Sequence, residues 1–343
     1  MMRERIAAMT GPRETHLAAN KRERNQAANK RERNRAANKR ERNRAANKRE
    51  KARTTRDQAG KAAGFLILTL FILSAGFPFA MMLSISLQGM EQIYSPGLSL
   101  LPHPVRFANY ADAMTNGNWA RYLFNSAFTA GMATGLSLFI NAMTGYAFAR
   151  IEFPLRRPLF ILILAGMMIP PQVTLVPLFI LMKNFPLAGG NNLFGAGGTG
   201  LVNTFAGLIL PYIAGSFGVF MCRQFYLMFP KELDEAAKMD GCGRFRAFLS
   251  IYLPLSAPIL GALAVLKFTA AWNEYTWPLV MTNSGADTIT TVQLALTRFR
   301  NEGEIFWNQL MAATLVSSLA ILAVFLSMQK YFVAGILNGS VKE

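Results

Sequence analysis

Six apolar stretches, each close to the ~20 residues a helix needs to cross a bilayer, leave this chain few ways to fold. They run over residues 64–84, 124–147, 158–182, 201–225, 257–280 and 310–326. Hydrocarbon offers no water to backbone N–H and C=O groups, so such segments must close their hydrogen bonds internally, as helices. The expected fold is an all-α polytopic membrane protein with six transmembrane helices. Composition agrees: 52% of residues are hydrophobic and 16% charged, which argues against a soluble enzyme. The first stretch is too long for a signal-peptide core and follows a polar tail, so it reads as an uncleaved anchor.

Basic charge sets the expected orientation. Of a formal net charge of +17, residues 1–62 carry +13, with 20 Lys/Arg against 7 Asp/Glu. Lys and Arg mark cytoplasmic segments, so the amino terminus is expected inside, and six spans return the carboxyl terminus to the same side. The loops agree: ten Lys/Arg fall on the inner side, including Arg150, Arg156, Arg157 and Arg223, against five on the outer. Residues 18–53 repeat every nine positions around the sequence AANKRERN. Alanine is the only apolar residue in that repeat, so stacked repeats have no core to build. Residues 1–62 therefore read as a cytoplasmic tail without a fold of its own. It can meet anionic lipid headgroups. Nucleic acid is not an expected partner, because no aromatic residue interleaves the basic ones.

Several absences limit the chemistry. No G-x-x-x-x-G-K-[S/T] loop occurs; the one Gly-Lys pair, Gly60-Lys61, is followed by Ala62. The chain therefore lacks the usual cradle for ATP phosphates. No series of intramembrane acids suggests a proton relay. His16 and His103 lie far apart, so no metal site, cofactor or catalytic residue is expected. Cys222 and Cys242 read as free thiols near the inner face. The loop 189–200 contains a GxGxxG, but a membrane span follows it directly, so it reads as a flexible external loop rather than a dinucleotide site. Gly131 and Gly135 form a GxxxG in the second stretch, a helix-contact motif of low specificity.

The most informative polar segment lies between the fourth and fifth stretches. It reads Glu235-Ala236-Ala237-x-x-Asp240-Gly241, then Phe248, Ile251, Leu253, Pro254 and Pro258. Pro230 suits the first position of a helix, and Glu232, Asp234 and Glu235 favour its positive amino end. Gly241 permits a sharp turn, and Asp240 can cap the next helix. Phe248, Ile251 and Leu253 are spaced to pack against the membrane domain.

Ten matched residue types make this run resemble the coupling loop of bacterial ABC importer permeases. The chain is most similar to the MalG-like second permease subunit of carbohydrate importers. Ala147-Phe148-Ala149-Arg150, Met168-Ile169-Pro170 and the terminus Gln329 to Gly335 resemble the same family. The resemblance covers about residues 63–343, with a core near 121–332 and a coupling loop near 226–258. It implies the type I importer permease fold with a cytoplasmic coupling helix, in the bacterial inner membrane. It assigns ATPase coupling to Glu235, Ala236, Ala237, Asp240, Gly241, Phe248 and Pro254. It also implies a second, different permease, separate ATPase subunits that carry ATP and Mg, and an extracytoplasmic solute-binding protein. The rival reading is a secondary transporter or channel without an ATPase partner.

Two places are candidates for a solute path. Trp272, Asn273 and Glu274 combine an aromatic face for a sugar ring with groups that hydrogen-bond hydroxyls. The same cluster also suits the interfacial aromatic belt. Lys267 lies two helical turns earlier, on the same expected face. Pro170 and Gln172 sit where Pro170-Pro171 interrupts the third stretch, either as a packing kink or as a broken helix lining the path.

Overall fold

The structure is a computed structural model and describes residues 60–97, 100–282, 288–300 and 303–340, with isolated positions at 39, 44 and 58. Side chains are described as far as Ser327 and at Gln329. The tail repeats, apart from Lys39 and Arg44, and the side chains of the terminal motif after Gln329 lie outside these residues. The chain divides into two compact units, 1–78 and 79–343. The first contains the start of helix α1, Gly60–Ser86. All packing below is within the second.

The second unit is helical, and its described residues include only an isolated bridge between Arg300 and Ile305. A short α2, Ala108–Thr115, precedes α3, Trp119–Arg150. Then come α4, Arg156–Ala165, α5, Pro171–Lys183, α6, Phe205–Ile209, and α7, Ser216–Leu227. The polar segment forms α8, Glu232–Met239, and α9, Arg244–Ala247. The remainder is α10, Ala257–Trp272, α11, Thr276–Met281, and α12, Trp307–Ser340. Three helices cross unaided by length and composition: α1, α3 and Trp307–Ser327 of α12. Three bent helix pairs are long and apolar enough only when taken together: Arg156–Met168 with Pro171–Lys183 at 107°, Phe205–Tyr212 with Ser216–Leu227 at 46°, and Arg244–Leu255 with Ala257–Trp272 at 76°. The count reaches six when each pair is one span.

Three expected spans are therefore discontinuous, 201–225 among them, broken at residues 213–215. The 158–182 stretch splits at Pro170, whose ψ of 134° is extended, while Pro171 opens α5. A residue before proline is pushed out of the helical region, so the pair ends one helix and starts the next. The 257–280 stretch stops at Trp272. Helix resumes at Thr276, where a Glu274 carboxylate oxygen accepts the Trp277 N–H at 3.1 Å.

Helix α3 is the spine, packed along α7 and α10, and α12 packs on α10 and α2. Its buried face is small or polar, with Asn125, Ser126, Thr129, Ala133, Ser137 and Ala142. Small residues let backbones approach. A Cβ on Gly145 would come 2.6 Å from that of Cys222 on α7. The opposite face carries Phe124, Phe128, Met132, Leu136, Phe139 and Met143, all exposed, as hydrocarbon permits. Gly131 and Gly135 lie on exposed positions of this helix with nothing within 4 Å of an added Cβ.

Buried aromatics gather at both ends of α3. Trp119 and Tyr122 join Trp272 and Phe299 at one end. Tyr146 joins Tyr226, Phe248 and Tyr252 at the other, about 40 Å away at 1.5 Å per residue. The 189–200 loop is not the loose connection expected. Asn191 donates to the carbonyls of Lys183 and Phe185 and accepts from Gly198 N. Its glycines are there for contact: a Cβ on Gly195 would lie 2.0 Å from the Asn184 carbonyl oxygen.

Candidate functional site

Helix α8 is short, and its first turn carries Glu232, Asp234 and Glu235, which complement the positive amino end of the helix. It ends in a Schellman turn. Cys242 N donates to Ala237 O at 2.8 Å, and Gly241 N donates to Lys238 O at 3.0 Å. Gly241 sits at φ +70°, where glycine avoids the Cβ penalty. Asp240 is the C-cap of α8 and does not cap α9, whose N-cap is Gly243 with no side-chain cap bond. The expected Asp240 cap is thus corrected: the turn spends two further residues, Gly241 and Cys242, closing α8. Pro230 likewise is not the first helical residue. Helix begins at Glu232, and the Pro230 carbonyl is taken by Arg150.

Arg150, the last residue of α3, fastens this loop. Its Nη2 donates to the carbonyls of Phe229 at 2.6 Å and Pro230 at 3.0 Å. Its Nη1 lies 3.5 Å from the Asp234 carboxylate, and its guanidinium sits 5.5 Å from the centre of the Tyr252 ring. The Tyr252 hydroxyl donates to the other Asp234 oxygen at 2.6 Å. Asp234 is thus held from two sides. Ala237 is buried against the domain, whereas Glu235, Ala236, Asp240 and Gly241 are exposed. One face of α8 is docked and the other is offered outward. Phe248 is 1% exposed, among Tyr146, Tyr226 and Tyr252, with Ile251 and Leu253 packed against them.

Pro254 lies just before the 76° bend between Arg244–Leu255 and α10. Behind the bend, the Ser256 hydroxyl is hydrogen-bonded to the Tyr226 hydroxyl at 2.7 Å and to the Tyr252 carbonyl. From there α10 runs 16 residues, about 24 Å, and Glu274 lies just past its end.

At that far end three helix breaks converge. A cavity of about 260 Å³ is lined by Pro171, Gln172, Thr174, Tyr212, Glu274 and Trp277, among others. Glu274 faces the Tyr212 hydroxyl. Trp277 is 3% exposed and donates from its indole to the Gly207 carbonyl at 3.0 Å. Lys267 does not continue a helical face to Glu274, because α10 ends first. Its amine reaches the second break, where a Cβ on Gly215 would come within 2.5 Å of it. Both charged groups thus face the 212–215 break. Irregular backbone at membrane depth is tolerated where it lines such a cavity.

The cavity brings together Glu274 and Gln172, with Pro170 beside it in sequence. Trp272 is elsewhere: it is 2% exposed, stacked on Phe268 at 5.7 Å in the cluster with Trp119 and Phe299. Asn273 is exposed and accepts from Gln293 at 3.2 Å. Sequence reasoning passed over Tyr212, whose neighbour Pro211 inside an apolar stretch was a signal. It counted Arg150 as a topological charge and as part of the Ala147–Arg150 motif, and Asp234 only as a helix-end acid. Nothing local in the sequence pairs them with Tyr252.

The comparisons with known proteins agree with this fold. Residues 141–338 match the family described as binding-protein-dependent transport system inner membrane component. The arabinooligosaccharides transport system permease protein AraQ of Bacillus subtilis (strain 168) is 32% identical over 281 residues, 81% of this chain and 93% of that protein. The sn-glycerol-3-phosphate transport system permease protein UgpE of Brucella abortus (strain 2308) is 32% identical over 285 residues, 80% of this chain and 95% of that protein. A chain in the crystal structure of a bacterial ABC transporter involved in the import of the acidic polysaccharide alginate has the same fold. Its TM-score is 0.67 at 21% identity, covering 80% of this chain and 97% of that one.

Proposed function

Because the chain belongs to the family of binding-protein-dependent transport system inner membrane components, and so is the permease component of a sugar-type ABC importer, we propose that it moves its solute by alternating access. A separate ATPase drives the cycle. The solute is a sugar, an oligosaccharide or a related polyhydroxylated molecule. The working assembly contains a second permease, two ATPase subunits carrying ATP and Mg, and an extracytoplasmic binding protein. Both termini face the cytoplasm, and residues 1–62 form a tail outside the permease domain, 63–343.

One observation carries this reading. The α8 loop is clamped to the domain by Arg150, Asp234 and Tyr252, and a single helix, α10, leads from its hinge to Glu274. A docked ATPase that displaces the exposed face of α8 moves Tyr252 and the Pro254 bend with it. Helix α10 then carries the movement as a rigid body toward the cavity. There, the Glu274 carboxylate and the Gln172 amide suit hydroxyl groups, and Trp277 and Tyr212 supply aromatic walls.

Purification from membranes followed by reconstitution tests this. Co-purification of an ATPase and solute accumulation that stops without ATP are expected. Purification without any ATPase, combined with uptake driven by an ion gradient, would establish the secondary-transporter reading instead.

A further inference from the structure

Three arginines share one cavity with no acid lining it. Arg156, at the start of α4, donates from Nε to the Phe148 carbonyl at 2.8 Å and from Nη2 to that of Ala149 at 2.9 Å. Arg223 of α7 donates from Nε to the same Phe148 carbonyl at 3.2 Å, and its guanidinium lies 4.1 Å from the centre of the Phe160 ring. Arg157 is exposed. All three line a cavity of about 450 Å³ with Phe160 and Ile161. Among the described residues, none of the three makes a salt bridge.

Two cations on one neutral acceptor repel each other. A carbonyl dipole offsets little of that, whereas an anion with several oxygens can accept from all three guanidinium forks. The wall beside them is apolar. Leu159, Ile161 and Leu162 of α4 are exposed on a helix of the apolar 107° pair. The cavity is therefore cationic at one end and greasy along its side, at the end of the bundle that carries the α8 loop.

We propose that this cavity binds the phosphate of an anionic phospholipid, with an acyl chain along Ile161 and Leu162. The phosphate bridges α4 and α7 and, through the shared carbonyl, the end of α3. Arg156 also lines the cavity beneath α8, so the lipid braces the frame on which the α8 loop sits. This inference needs the chain to lie in a membrane, not to transport anything.

The test uses the complete chain, with whatever partners it retains, in phosphatidylcholine vesicles containing a minor fraction of brominated lipid. Phe160→Trp places a reporter in the cavity, read against the unsubstituted protein to subtract its native tryptophans. Brominated phosphatidylglycerol is expected to quench the introduced indole several-fold more than brominated phosphatidylcholine at equal content. Arg157→Gln, which breaks no hydrogen bond in this structure, is expected to remove most of that preference. Equal quenching by the two lipids overturns the proposal, as does a preference untouched by Arg157→Gln. Loss of the preference in millimolar inorganic phosphate would assign the cavity to free phosphate and also overturn it. If the reporter variant does not insert, native mass spectrometry of the unsubstituted protein decides: retained phosphatidylglycerol that Arg157→Gln sheds supports the site, and none retained rejects it. These readouts require no uptake, so failure of the importer reading would leave them intact.

Discussion

The Tyr252 hydroxyl donates a 2.6 Å hydrogen bond to the Asp234 carboxylate from 18 residues away, and so ties the helix before α10 to the first turn of α8. The same carboxylate lies 3.5 Å from Arg150. Asp234 is partly exposed, so the ion pair is the weaker of its two contacts. The hydrogen bond to a charged acceptor is worth about 1.5–3 kcal/mol.

Tyr252→Phe should therefore loosen the loop without unfolding the protein. ATP-driven uptake in reconstituted vesicles is expected to fall about ten-fold or more, the factor that such an energy implies. ATP hydrolysis by the bound partner should continue. Asp234→Asn weakens the same hydrogen bond and also removes the Arg150 ion pair, so it should cost at least as much, and adding Tyr252→Phe to it should add little, because the two residues share that bond. Additive losses would show that the two side chains act separately.

The outward face of α8 should control partner binding alone. Glu235 is exposed, so Glu235→Lys is expected to insert normally and to lose most co-purifying ATPase. Gly241→Ala meets no atom within 4 Å. Its cost is that of the left-handed backbone only, about 1–2 kcal/mol, with reduced uptake. Gly241→Pro cannot adopt a positive φ at all and should abolish it. Normal uptake in Glu235→Lys and Gly241→Pro together would sink the coupling model.

The cavity and the aromatic core should separate cleanly. Glu274→Gln and Tyr212→Phe are expected to lower uptake per molecule at normal membrane abundance. Trp272→Ala should act the other way, because it empties a buried site at a cost of about 3–5 kcal/mol. Abundance should drop while uptake per surviving molecule holds. Immunoblots and uptake assays on the same vesicles distinguish the two outcomes.

Deleting residues 2–55 should leave transport largely intact. Lys61 and the loop arginines remain to hold the orientation. Protease accessibility in right-side-out vesicles reports it. An inverted or inactive protein would assign the repeats a specific task.

Much of the fold was legible because its signals are local. Apolar length marked the spans, Pro170-Pro171 marked the 107° break, and the acids before Ala236 marked the start of α8. Errors came where backbone turns or breaks decide which way a side chain faces. Asp240 looked like a cap for α9, but the Cys242–Ala237 bond closes α8 first. Trp272 looked like a sugar platform because it adjoins Glu274. The end of α10 and the break after it separate the two, so the indole packs with Trp119 and Phe299 while the carboxylate turns to Tyr212.

By itself, then, the sequence determined that the chain spans a membrane as helices, that it lacks a nucleotide cradle, and that its polar helix carries the signature of ABC importer permeases. These come from hydrophobic run lengths, turn residues and fixed spacings, which are properties of neighbouring residues. Tertiary structure alone decided that Arg150, Asp234 and Tyr252 form one clamp, and that Gln172, Tyr212 and Glu274 share one cavity. Such groups meet only when helix breaks bend distant segments together. No periodicity in the chain records a contact made through space.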